Sequence, residues 1–149
     1  MNKVFNSELE LSLRILLTLY TSSRGLNADE IVLTDFITIY SHEFGLSTNS
    51  LHGNNEFSFS EFAARREQFN NALKGLVLNG YVNVTTDNNG FTYHASELGE
   101  SVCDSMSTDY ADTYIDNSYK AQNYMRNKST IELFSYINKM ALISNQETH

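Results

Sequence analysis

The sequence predicts a mainly α-helical chain carrying one small β-hairpin, and three observations predict it. Four segments open on a small polar residue with Glu three positions later: Ser7 and Glu10, Asn27 and Glu30, Ser58 and Glu61, Ser129 and Glu132. That spacing lets the polar side chain accept from the third helical amide while the carboxylate reaches back to the cap's own N–H. Glycines then stop the helical patterns, with Gly45 and Gly80 standing where a helix C-terminus takes a left-handed residue. Finally, two β-prone runs, residues 81–86 and 91–95, flank Asp87-Asn88-Asn89-Gly90, and Asn-Gly between such runs is a strong hairpin signal. The order helix, glycine stop, strand, turn, strand, helix is the skeleton of a winged helix-turn-helix domain. The expected division is a winged-helix domain over residues 1–106 and a C-terminal, partner-binding helical extension over 107–149.

The first helix is expected over residues 7–22, with Phe5 as a hydrophobic staple and Leu9, Leu13, Leu16, Leu17 and Tyr20 on one face. The second is expected over 28–44, with Ile31, Leu33, Phe36, Ile39 and Tyr40 on its apolar side. Residues 46–58 form a polar connection, and a loop of that length in a compact domain is often functional. The third helix, over 59–79, buries a stripe of Phe62, Phe69, Leu73, Leu76 and Val77. After the hairpin, Ser96 caps a fourth helix containing Leu98, Val102 and Met106. Two further helices are expected over 108–126 and 129–143, with residues 144–149 frayed. The last is broadly apolar (Leu133, Phe134, Tyr136, Ile137, Met140, Ala141, Leu142), more so than one narrow stripe needs. The excess is expected to dock on the first helix or to remain as an exposed patch, the mark of a protein interface.

Composition narrows the function. At 149 residues with 41 % hydrophobic residues, the chain is long and apolar enough for a real core. No run approaches the ~20 apolar residues of a membrane span, and the first residues lack an apolar signal core, so a cytoplasmic protein is expected. Cys103 is alone, which excludes an internal disulfide framework and a multi-cysteine zinc site and fits a reducing compartment. The net charge of −8 argues against a protein that coats DNA unaided. The distribution says more. Residues 1–60 carry three bases and seven acids, 96–149 carry four bases and eight acids, and 61–95 balance Arg65, Arg66 and Lys74 against Glu61, Glu67 and Asp87. The would-be recognition helix and wing are therefore neutral, and the wing tip brings Asp87 where a DNA-reading wing brings a cation.

No catalytic constellation stands out: nucleophile elbow, phosphate-binding loop and dinucleotide fingerprint are all missing. His42-Glu43 lacks the second histidine of a zinc-protease motif, and His52 and His94 have no ligand-spaced Cys or His nearby. The acidic run Glu97, Glu100, Asp104, Asp109, Asp112 and Asp116 lacks the calcium-loop pattern and reads as a solvated face. No cofactor or metal is expected. Arg65 and Arg66 point about 100° apart on a helix of 3.6 residues per turn. They are placed to meet phosphate, an acidic partner surface, or Glu61 and Glu67 of their own helix. The candidate contact residues are Arg65, Arg66, His52 and Lys74, with Phe134, Ile137 and Met140 from the last helix.

Several short strings, in shared order and spacing, resemble one known family. They are Phe5-Asn6-Ser7, Leu9-Glu10 and Leu13-Arg14; Asp35 inside the second helix; Ser50-Leu51-His52; Glu61 with Arg65-Arg66-Glu67; Gly80-Tyr81-Val82; Gly90 and Tyr93; and Ala95 with Glu97. Over about residues 4 to 100 the chain resembles the small middle component of bacterial three-component ABC-ATPase systems of the Lamassu defence type. The resemblance implies a non-enzymatic subunit beside an SMC- or Rad50-like coiled-coil ATPase and an effector, commonly a nuclease, acting against phage or plasmid DNA. It implies a kleisin-like bridging role between ATPase heads and effector, with DNA engaged only inside the complex. The competing expectation is a winged-helix transcription regulator that dimerises through its last two helices.

Overall fold

The computed structural model describes residues 7–48, 51, 62–88 and 90–147, with side chains described as far as residue 143. Six helices and one hairpin follow in the order α1 (Glu8–Thr21), α2 (Ala28–Ile39), α3 (Phe62–Leu78), β1 (Val82–Asp87), β2 (Gly90–Ala95), α4 (Glu97–Asp104), α5 (Asp109–Met125) and α6 (Thr130–Glu147).

The caps do what their chemistry requires. Ser7 Oγ accepts the Glu10 amide at 3.2 Å. At α2 the box is reciprocal: Asn27 Oδ1 accepts the Glu30 amide at 2.8 Å, and Glu30 Oε1 accepts the Asn27 amide at 3.0 Å. Ser129 and Glu132 exchange the same two bonds at the start of α6. The Ser58–Glu61 box and the Phe5 staple lie outside the described residues. At the end of α3, Gly80 takes φ +83°. Its amide reaches the Val77 carbonyl while the Tyr81 amide reaches Leu76, a double bond pattern that satisfies the last free carbonyls and turns the chain into β1.

α2 is the axis of the molecule. Every residue from Ile31 to Ser41 is buried, because α1, α3, α5 and α6 all pack around it. It is shorter than expected. Tyr40 leaves the helix at ψ 35°, and residues 40–46 continue as hydrogen-bonded turns that place Gly45 at φ +73°. α1 is also buried nearly all round, through Leu11, Arg14, Ile15, Leu16, Leu17, Thr18, Leu19 and Thr21. One expected core residue is excluded: Leu9 stays 70 % exposed in the first turn, where α1 overhangs the packed layer.

The hairpin pairs Val82 with Ala95 through Asp87 with Gly90 in antiparallel register, and Gly90 adopts φ +112°. Leu26, in the α1–α2 connection, adds a rung by exchanging two backbone bonds with Tyr93, at 3.1 and 2.8 Å. α3 carries the expected stripe, with Phe62, Phe69, Leu73 and Leu76 buried and Val77 packed at its edge. α6 docks on α2 instead of α1, inserting Leu133 and Ile137 into the same core. It runs on to Glu147, so residues 144–147 of the tail expected to fray extend the helix. Aromatic contacts link the layers: Phe36 meets Phe62 at 4.9 Å, Phe62 meets Phe134 at 5.6 Å, and Phe44 meets both Tyr124 and Tyr136 at 5.7 Å.

α4 crosses close to the start of β1. A Cβ built on the buried Gly99 collides with the Tyr81 carbonyl oxygen and stands 3.1 Å from Leu16 Cδ2. Ala favours helix over Gly by about 1 kcal/mol, yet Gly99→Ala is expected to lose about 1–3 kcal/mol by overpacking. Urea unfolding measures it, and a stabilised Gly99→Ala protein would refute the close approach.

Candidate functional site

A buried polar network joins the first half of the chain to the last. Arg14 and Asp35 are almost wholly enclosed, with side chains 1 % and 5 % exposed. Arg14 Nε donates to Asp35 Oδ1 at 2.9 Å and its second terminal nitrogen to Oδ2 at 3.0 Å, a two-pronged geometry that suits a guanidinium. Tyr114 of α5 donates its hydroxyl to Asp35 Oδ1 at 2.6 Å and sits 2.9 Å from Thr18 Oγ1. One helical turn on, Ser118 meets Thr21 at 2.8 Å, and one turn further Gln122 donates to Thr21 at 2.7 Å. Residues 14, 18 and 21 of α1 thus face 114, 118 and 122 of α5, two polar stripes at helical spacing.

The electrostatics follow from enclosure. Burial would lower the Arg14 pKa, but the Asp35 carboxylate more than offsets it, and the guanidinium is held firmly charged. Burial, reinforced by Asp35, drives the Tyr114 hydroxyl well above its ordinary value. Burial also raises Tyr110 and pushes the Cys103 thiol up to about 12. A raised tyrosine pKa means that stability is full while both folded and unfolded chains hold the proton. It falls once the unfolded chain begins to release it, near pH 10. Stability should therefore decline above about pH 10. Tyr114→Phe should flatten that decline by about 1.4 kcal/mol per pH unit, as read from urea unfolding at stepped pH. An unchanged slope would place Tyr114 in contact with water.

Apolar features of the outer surface include one beside the hairpin and one on α6. Between α3 and the hairpin lies a groove of about 320 Å³, lined by Leu73, Val77, Val84, Phe91 and Tyr93, with Lys74 as its one cation. Val84 and Phe91 are 40 % and 59 % exposed. On α6, Ile131, Tyr136, Leu142 and Ile143 are exposed, with Ile131 and Leu142 opposite the buried Leu133 and Ile137 at helical spacing. Among the described residues, no group of three or more His, Cys, Asp and Glu side chains is arranged to hold a metal ion, and no helix is long and apolar enough to cross a membrane.

The structure sorts the candidate contacts. Arg66 pairs with Asp29 of α2 at 2.9 Å, its guanidinium lying over the Phe134 ring at 4.4 Å. Arg65 is buried at 9 % exposure. Lys74 is exposed at the groove. Phe134 and Met140 are half-buried against the core, and Ile137 is fully enclosed, because it lies on the face of α6 that meets α2. His52 lies outside the described residues. Sequence reasoning missed Val84 and Phe91, although strand alternation already sets them apart from their neighbours. It also missed Asp29 and Tyr114, whose partners are 37 and 79 residues away.

No curated protein and no solved structure matches the chain. A family profile does, over residues 4–147, and it spans α5 and α6 as well as the hairpin half on which the short strings fall. The chain belongs to the Middle Component 2 family of ABC-three component (ABC-3C) systems.

Proposed function

We propose that this middle component is a non-enzymatic bridging subunit, and that its α3–hairpin face binds protein instead of DNA. Helix, short bridging segment, two helices and a two-stranded hairpin follow in the order of a winged helix-turn-helix. The Leu26–Tyr93 rung supplies that fold's third, short strand. A DNA-reading member would line this face with cations for phosphate and polar groups for base edges. Here the same place holds an apolar groove with Lys74 as its one cation, and that observation carries the reading. Exposed apolar surface rimmed by polar residues marks protein association. The partners are an SMC- or Rad50-like ATPase and a nuclease effector in a cytoplasmic, Lamassu-type defence against phage or plasmid DNA. DNA is met inside the complex, the subunit acts in a kleisin-like manner, and the C-terminal extension adds contact through the outer side of α6.

Co-expression with the neighbouring components of its own operon tests this. The native chain should co-elute with the ATPase at near-equal amounts. Val84→Glu with Phe91→Glu should abolish co-elution while leaving the melting temperature of the free protein unchanged, since both side chains are exposed. Co-elution that survives both charges would sink the groove as the interface. Tight, salt-sensitive binding of the isolated chain to its own promoter would replace the reading with a transcription regulator.

A further inference from the structure

We propose that a second site, at the junction of α1, α2, α5 and α6, binds a phosphate group. The cavity there measures about 360 Å³ and is lined by Arg24, Arg126 and Lys128 together with the hydroxyl residues Ser22, Ser23 and Thr130. The chain holds only ten Lys and Arg residues against eighteen acids, and three of those ten meet here. Elsewhere the cations are scattered or spent: Arg14 and Arg66 are ion-paired, the α3–hairpin groove holds Lys74, and the cavity beside the Gly45–Thr48 turn holds Lys120 with Asp116. An acidic protein that gathers its positive charge in one recess has made a local sink for anions.

The recess is built, not merely crowded. Its one acid, Glu30, is already engaged: Arg24 grips both carboxylate oxygens at 3.2 and 2.9 Å, and the Asn27 amide donates to one of them. Glu30 thereby fixes Arg24 and leaves Arg126 and Lys128 as uncompensated charge in the lining. Lys128 is pinned above the Tyr124 ring at 4.1 Å and donates to the Tyr124 carbonyl at 3.2 Å, which spends one of its three protons and holds the others in place. Arg126 makes no side-chain hydrogen bond or ion pair among the described residues, so its planar fork of donors is open to a ligand. Thr130 is the first residue of α6, which sets the positive end of that helix at the rim.

The lining selects the ligand class. No aromatic side chain lines the cavity, so there is no platform on which a base would stack. Hydroxyl and cationic donors suit the tetrahedral oxygens of a phosphate, and the volume leaves room for the group esterified to it. The phosphate is either free or the terminal group of a nucleic acid strand, and one experiment separates these sources. This site is independent of the α3–hairpin groove and stands whether or not that groove binds protein.

The test uses the purified full-length chain titrated calorimetrically with inorganic phosphate, then with a short duplex carrying 5′-phosphate or 5′-hydroxyl ends. Phosphate should bind and should raise the melting temperature. Arg126→Ser with Lys128→Ser should weaken binding on the order of tenfold or more. Lys139→Ser removes one exposed positive charge elsewhere on α6 and should leave binding unchanged. Preference for the 5′-phosphorylated duplex over the hydroxyl form identifies a strand end as the source, and equal weak binding of both duplexes identifies free phosphate. If the double variant melts early, Arg126→Ser alone is paired with amide shift mapping, and phosphate must then perturb Ser23 and Thr130. Absence of phosphate binding in the native chain, or equal loss in Lys139→Ser, overturns the proposal.

Discussion

Asp35→Ala is expected to destabilise the folded chain by about 3–5 kcal/mol, the cost of leaving a buried guanidinium without its counter-ion. Arg14 is 0 % exposed, so no water reaches it to replace the carboxylate. Tyr114 loses its bond to Asp35 in the same step and keeps only the Thr18 hydroxyl as a partner. The pair itself is a different matter. Desolvating two charges costs about as much as their attraction returns, so Arg14→Met with Asp35→Leu should recover most of the loss. The recovery is measured by a double-mutant cycle in urea. If Asp35→Ala alone cost under about 1 kcal/mol, the network would not be closed to solvent as described. The value of the ion pair is then specificity more than stability. A one-turn slip of α5 along α1 would drive Tyr114 into the fully enclosed place beside Thr21 that Ser118 now fills. The buried polar stripes therefore accept one register.

That network marks the boundary of what the sequence discloses. Local chemistry was readable. The caps at Ser7, Asn27, Ser96 and Ser129 and the glycine turn at Gly80 act within a few residues, and pattern reasoning finds such features because cause and effect are close in the chain. Position 35 was legible as an acid inside a helix, but its partners on α1 and α5 were not. No period of 3.6 joins residues 35 and 114. Arg66 illustrates the same limit: helical spacing offered Glu61 and Glu67, and tertiary packing supplied Asp29 from α2. Leu9 failed the other way, since an amphipathic stripe does not say where the neighbouring layer ends. The three cations of the phosphate recess come from the α1–α2 connection and the α5–α6 junction, about 100 residues apart in the chain, so no composition window brings them together.

The two sides of α6 should respond to mutation in opposite ways, and this separates core from interface on a single helix. Ile137→Ala should cost about 2–5 kcal/mol, because its side chain is fully enclosed between α6 and α2 and the void has no route to collapse. On the outer side, Ile131 and Leu142 are 78 % and 64 % exposed. Ile131→Ser with Leu142→Ser should change the stability of the free chain by no more than about 0.5 kcal/mol. If α6 lends its outer side to the ATPase or the effector, the same pair should lose co-elution with that partner, since an exposed apolar residue matters only once something covers it. Ile137→Ala, in contrast, should lower the melting temperature of free and assembled protein alike and leave the stoichiometry of whatever remains folded intact. Co-elution unaffected by the outer pair would confine partner contact to the α3–hairpin groove. Loss of stability in the outer pair would mean that α6 is packed on both sides within the subunit itself, leaving that helix no surface to offer.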